Sequence, residues 1–218
     1  MDVCWNCGEW TPGKEVEDRD EYAVATCPDC GHEHPFRYLP LLVVTGPSGA
    51  GKSTVLRELH SRAVTGGDPD VTDRLVPLES DTLWTAGADM ETEAYMDLWL
   101  AQCREVHQSG RSVLLFGAGM NPENVEPPVH RRYFPAVHYL ALVAADDDLA
   151  ERLGARPDWR ESSSEEAVRE HVEYNRALKE GEFVPEGVPF ETLNTTPLSV
   201  AETIEATVAW ADDALARY

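Results

Sequence analysis

Positive charge is scarce in this chain. Of 218 residues, 18 are Lys or Arg against 40 Asp or Glu, a formal net charge of −22. Such a surface repels nucleic acid and anionic membranes, so neither is an expected partner. Self-repulsion of this size suits a high-salt cytoplasm, where bound cations screen it. Long apolar runs are missing too. The longest, such as Leu140 to Ala145, are too short to cross a bilayer and read as buried strands. The opening MDVCWNC lacks a positive stretch followed by an apolar run, so no signal peptide is expected. Cysteine is limited to five residues, four of them in two CxxC pairs. That pattern argues against a disulfide framework and for a metal, in a reducing cytoplasm. No internal repeat or low-complexity tract is visible.

What the chain does contain divides at about residue 38. Residues 1–38 are rich in Cys, Gly, His and charge and poor in aliphatics, so they are not expected to build an apolar core of their own. From Leu39 onward, short apolar runs alternate with amphipathic segments. Leu41 to Thr45, Leu75 to Leu78, Ser112 to Phe116, Val137 to Ala144 and Pro189 to Leu193 predict parallel strands buried on both faces. Helical spacing predicts helices over Lys52 to Ala63, Glu91 to Ser109, Asp146 to Leu153, Ser164 to Glu180 and Leu198 to Arg217. The expected architecture is a parallel α/β domain over residues 39–218.

Between the first strand and the first helix stands GPSGAGKST: Gly46, Pro47, Ser48, Gly49, Ala50, Gly51, Lys52, Ser53 and Thr54. Gly46, four residues, then Gly51-Lys52-Ser53, in strand–turn–helix context, is the phosphate-loop pattern. The glycines let several backbone N–H groups turn into one concavity, and the helix N-terminus adds partial positive charge. Lys52 reaches β- and γ-phosphates, and the Ser53 hydroxyl can ligate Mg²⁺. In the empty site Lys52 is expected to face solvent. A nucleoside triphosphate with Mg²⁺, ATP in the leading reading, is the expected ligand.

GPSGAGKST, the later LVPLESD, and VHYLALVAADDDLAERLGARPDWR, in that order over residues 40–217, resemble the small P-loop kinases. That group takes in nucleoside monophosphate kinases, gluconate kinases and the chloramphenicol phosphotransferase type. The resemblance implies a nucleotide kinase-like P-loop NTPase with a five-stranded parallel sheet, transferring a phosphoryl group to a small-molecule acceptor such as a nucleoside or nucleotide. It makes Lys52, Asp81, Arg152 and Arg156 the catalytic candidates, with Arg160 in a lid over about residues 154–168. Asp81 would orient or deprotonate the acceptor, or hold a Mg²⁺-bound water. Its bland alternative is a turn or cap residue, since Ser80-Asp81-Thr82 is good turn chemistry. For the arginines the alternative is pairing with Asp146 to Asp148, Glu151 or Glu161. The chain departs from the group at the third strand, where Gly117 and Gly119 replace an expected carboxylate; either Glu79 or Asp81 would then support the metal. Trp84, Tyr95 and Trp99 are candidate acceptor walls, although aromatics on a helix face are more often core. Cys103, on an apolar stripe, reads as core.

At the front end, Cys4-x-x-Cys7 and Cys27-x-x-Cys30 have the spacing of a four-cysteine zinc site, with Gly8 and Gly31 in tight turns and a ribbon strand over Glu21 to Thr26. Redox pairs and an iron–sulfur site are the competing readings, and His32 and His34 are spare ligands. Residues 1–36 resemble zinc ribbons, which implies Zn²⁺ in a purely structural role. A second functional reading is a nucleotide-dependent switch or ATPase whose ribbon docks a protein or nucleic acid.

Overall fold

The computed structural model describes residues 2–20, 22–65, 73–83, 90–157 and 163–218. Three short antiparallel strands come first: β1 (Glu15–Asp18), β2 (Ala23–Thr26) and β3 (Glu33–Phe36), in the order β1-β2-β3. Five parallel strands follow: β4 (Leu41–Thr45), β5 (Leu75–Glu79), β6 (Ser112–Phe116), β7 (Val137–Val143) and β8 (Phe190–Asn194). Their order is β5-β6-β4-β7-β8, so the strand that feeds the glycine-rich loop lies at the centre. Among the described residues the helices are α1 (Lys52–Thr65), α2 (Thr92–His107), α3 (Pro122–Val125), α4 (Asp146–Gly154), α5 (Glu165–Glu180) and α6 (Val200–Leu215), with 3-10 turns at Ser80–Leu83 and Val129–Tyr133.

Strand periodicity divides the core. On β4, Leu42 and Val44 point to the face covered by α1 and α6, among Leu56, Leu59, Leu114 and Ile204. Leu41 and Val43 point to the opposite face, among Tyr95, Trp99, Cys103 and Tyr139. All five β4 residues are buried, as expected of a central parallel strand covered on both sides. β8 departs from that expectation. It is an edge strand, and Glu191, Thr192 and Asn194 reach solvent; polar residues on an exposed edge discourage pairing with another chain.

Helix ends follow local chemistry. Ser164 caps α5 by accepting from Ala167 N at 3.2 Å, and Gly181 ends it in the left-handed region at φ 73°. A reciprocal Ser199–Glu202 capping box opens α6.

The N-terminal strands do not stand apart from the larger sheet. Ala23, Ala25 and Phe36 share a core with Leu41, Val43, Tyr133 and Val137. The shortage of aliphatics in this module is met by borrowing the α2 face of the main domain. No helix among the described residues is long and apolar enough to cross a membrane.

Candidate functional site

The loop after β4 is shaped by its glycines. Gly46, Gly49 and Gly51 have φ of 137°, 89° and 106°, a region that costs any other residue strain. Gly46 carries a second constraint, because a Cβ there would lie 2.2 Å from Leu142 O. The loop is braced from the far side by Thr195, whose Oγ1 donates to Ala50 O at 3.3 Å. Neither contact is visible from the local motif.

Lys52 does not face open solvent in the ligand-free loop. It is half-buried, and its Nζ donates to Gly46 O at 2.6 Å and Pro47 O at 3.0 Å. Burial lowers its pKa to about 8, with the Asp81 charge opposing the shift and Arg156 reinforcing it.

The loop forms one side of a cleft of about 520 Å³. Lys52, Arg57, Arg152 and Arg156 line it with Glu79 and Asp81. Four cations against two carboxylates reverse locally the sign of a chain that is strongly acidic overall. Arg152 projects from α4 toward the loop, its NH1 3.4 Å from Gly49 O. Asp146, one of the residues that could have paired with the lid arginines, instead takes Arg176 at 2.6 Å and Lys179 at 3.0 Å. Arg160 and Trp84 lie outside the described residues.

The third-strand departure has a steric cause. A Cβ at Gly117 would lie 2.2 Å from Ser80 Oγ and 2.8 Å from Met120 Cγ. Ser80 itself is buried, and Tyr95 OH donates to its carbonyl at 2.6 Å. The space a side chain would need just after β6 is filled by Ser80, in the turn that follows β5, and by Met120. A carboxylate stands nearby at the end of β5: Glu79 Oε1 accepts from Ser53 Oγ at 2.8 Å. Ser53 and Glu79 together offer the hard oxygen ligands that Mg²⁺ prefers. Asp81 lies two residues further, in the 3-10 turn, and also lines the cleft.

Of the aromatic candidates, Tyr95 and Trp99 are core residues, 6% and 4% exposed. The sequence predicts α5 as a helix but does not connect it with the site. Tyr174 OH lies 3.3 Å from Thr45 Oγ1 at the mouth of the loop. His171, one turn earlier, has a lowered pKa, from burial first and then from the Lys52 and Arg156 charges. The i, i+3 spacing of His171 and Tyr174 was the available signal. On the other side of the loop, a hollow of about 240 Å³ is lined by Ala50, Thr54, Arg152, Thr195 and Leu198.

The four cysteines converge as their spacing implies. All four Sγ atoms lie within 4.8 Å of one another. Cys4–Cys30 is 3.7 Å and Cys7–Cys27 is 3.8 Å. A tetrahedron with Zn–S bonds of about 2.3 Å has edges of about 3.8 Å, so the thiols already stand at the separation such an ion requires. Each knuckle closes the same way, with Gly8 N donating to Cys4 O and Gly31 N to Cys27 O, both at 2.9 Å. Burial raises the Cys4 thiol, but hydrogen bonds from the Cys7 and Asn6 amides outweigh it and lower its pKa, while the neighbouring Cys7 is raised, so the cluster as a whole favours Cys4 as its first thiolate. Cys103 is buried in the core, as read from its stripe.

The central parallel sheet and its glycine-rich loop have the P-loop kinase fold. Residues 42–173 match the AAA domain family, and the chain belongs to it; the cysteine module lies outside that match. Solved structures with the same fold include a sugar kinase from Janibacter sp. HTCC2649 (16% identity, TM-score 0.56, covering 82% of this chain and 97% of that one). A gluconokinase from Sinorhizobium meliloti 1021 is similar at 18% identity and TM-score 0.51, over 83% of this chain and 96% of the other. An APS kinase from Mycobacterium tuberculosis, in complex with AMPPNP and APS, is similar at 15% identity and TM-score 0.52, over 82% and 99%. No curated protein matches the sequence.

Proposed function

We propose that this protein transfers the γ-phosphoryl group of ATP to a small hydroxyl- or phosphate-bearing acceptor such as a nucleoside or nucleotide. One observation carries the reading: Glu79 meets Ser53 at 2.8 Å, with Asp81 two residues on, in a cleft that also holds Lys52, Arg152 and Arg156. In this reading Glu79 supports the metal and Asp81 meets the acceptor. The kinase names of the structural neighbours support the same class.

Lys52 would leave the Gly46 and Pro47 carbonyls for the β- and γ-phosphates. The loop amides would hold the remaining phosphate oxygens. Ser53 and Glu79 would hold Mg²⁺, which when bound neutralises charge on those oxygens. Arg152 and Arg156 would balance charge spreading over the transferring group. Arg152 also lines the 240 Å³ hollow, where its guanidinium offers a stacking surface for a nucleobase. Asp81 would accept the acceptor hydroxyl's proton or orient its phosphate.

At the front end the four thiols fit a closed, structural Zn²⁺ site with no position left for substrate. The exposed Trp5 and Trp10, 71% and 69% accessible, favour the second reading, in which a partner docks on the ribbon. One experiment separates the two. ATP turnover is measured with Mg²⁺ alone and with a panel of nucleosides, nucleotides and sugar acids, with mass spectrometry of products. Turnover that needs one acceptor and yields its phosphorylated form supports the kinase. Acceptor-independent release of phosphate supports the switch.

A further inference from the structure

The front-end metal centre and the carboxylate edge of the cleft are attached to opposite ends of one helix. At the ribbon end of α2, the Arg104 guanidinium is 3% exposed. Its NH1 donates to Asp2 Oδ1 at 2.7 Å, and the group lies 4.9 Å over the Tyr133 ring, with Glu105 as its other anionic partner. The same Asp2 oxygen lies 3.1 Å from His130 Nε2, and His130 Nδ1 lies 2.7 Å from Asp97, also on α2. Asp2 stands two residues before the ligand Cys4. Its segment is fastened by Thr11 N to Asp2 O (2.7 Å), Lys14 Nζ to Asp2 O (2.8 Å) and Tyr133 OH to Pro12 O (2.6 Å). At the other end of α2, Tyr95 OH holds Ser80 O, the residue between Glu79 and Asp81. Tyr95 and Arg104 are nine residues apart, about 13 Å along a helix.

We propose that α2 couples occupancy of the Cys4–Cys7–Cys27–Cys30 centre to the position of the Glu79–Ser80–Asp81 segment, with Tyr95 as the positioning residue. The inference rests on the metal reading above. Without an ion, nothing but hydrogen bonds closes the Cys4 knuckle, and the adjoining Asp2 segment, held by hydrogen bonds and ion pairs of its own, is loosened with it. Arg104, a buried cation, then keeps Glu105 but loses its other anionic partner, an imbalance that folded proteins relieve by local movement or water entry. α2 carries that movement to Tyr95 and so to Ser80. The phosphate loop is less exposed to it, being braced by Thr195 and by the close approach of Gly46 to Leu142. The coupling therefore acts on the acceptor side of the cleft and spares the nucleotide side.

The test is hydrogen–deuterium exchange on the full chain, loaded with Zn²⁺ and then stripped by a chelator under reducing conditions. Stripping is expected to speed exchange at least tenfold over residues 92–107 and 80–83, with residues 46–56 unchanged within about twofold. Asp2→Ala, with metal retained, should reproduce the change, and Asp2→Asn should do so more weakly. In Tyr95→Phe, residues 80–83 should exchange fast already and respond no further, while 92–107 still respond. Exchange confined to residues 2–36, or spread equally to the phosphate loop, would overturn the coupling. Failure of Co²⁺ to give a tetrathiolate charge-transfer band would reject the metal reading, and Asp2→Ala would then judge the helix linkage alone. None of these readouts depends on phosphoryl transfer.

Discussion

Lys52 and Gly117 are where single residues do most to define the cleft. Because Lys52 is brought down to about 8 in the empty loop, the folded chain binds fewer protons than the unfolded one between about pH 8 and the ordinary lysine value near 10.5. Stability of the ligand-free protein should therefore rise with pH across that window. Phosphate binding needs the charged form, so ATP affinity should be highest below pH 8 and fall above it. Calorimetry from pH 7 to 9.5 checks this, and Lys52→Ala should bind weakly and lose the pH dependence. At Gly117, the sequence alone suggests that restoring an aspartate would improve metal support. The structure predicts the reverse. Gly117→Asp meets Ser80 Oγ and displaces the segment carrying Glu79 and Asp81. The variant should lose on the order of 2 kcal/mol of stability, as overpacked sites do, and gain no Mg²⁺ affinity. A denaturation curve with a Mg²⁺ titration reads both. The choice between Glu79 and Asp81 as metal support was open in the sequence because both carboxylates follow the same apolar run. The Ser53 hydrogen bond to Glu79, across 26 positions, favours Glu79.

At the scale of elements, α2 joins three parts of the molecule, and its C-terminal histidine shows how. His107 Nε2 accepts from Val113 N at 2.9 Å, tying the end of α2 to the start of β6. Burial lowers its pKa to about 4. An acceptor nitrogen must be unprotonated, so this contribution is complete above the ordinary histidine range. It is lost as pH falls from about 6.5 toward 4. His107→Gln should flatten that limb of the stability–pH curve, measured by urea denaturation at pH 7, 5.5 and 4.5. The parallel strands and long helices were legible because their periodicity repeats over several turns or along a buried run. Pro122–Val125 and the 3-10 turn at Val129–Tyr133 are too short to show a period. β1 and β3 went unread because their outward residues are polar and their inward ones few. The Asp2–Arg104–His130 cluster spans up to 128 positions, and no local pattern announces it.

On the scale of the whole molecule, a net charge of −22 surrounds a cleft with four cations. The surface should resist folding at low salt and the cleft should still draw a polyanion. Raising KCl from about 0.1 to about 2 M should raise Tm. A gain of about 2 kcal/mol would appear as roughly 4–8 °C in a scanning experiment. A flat or falling Tm would show that the acidic surface costs nothing. The N-terminal module is part of this whole through the core it shares with β4, which supplies the apolar contacts that its own composition lacks. In the proposed function two carboxylates divide the work of phosphoryl transfer. This division is tested most directly by measuring acceptor phosphorylation by wild type, Glu79→Gln and Asp81→Asn across a Mg²⁺ titration, with ATP binding followed in parallel. Asp81→Asn should bind ATP normally and lose transfer by on the order of a hundredfold at every Mg²⁺ concentration. Glu79→Gln should recover part of its lost activity as Mg²⁺ is raised. Full activity in Asp81→Asn, or ATP turnover indifferent to any acceptor, would contradict the proposal.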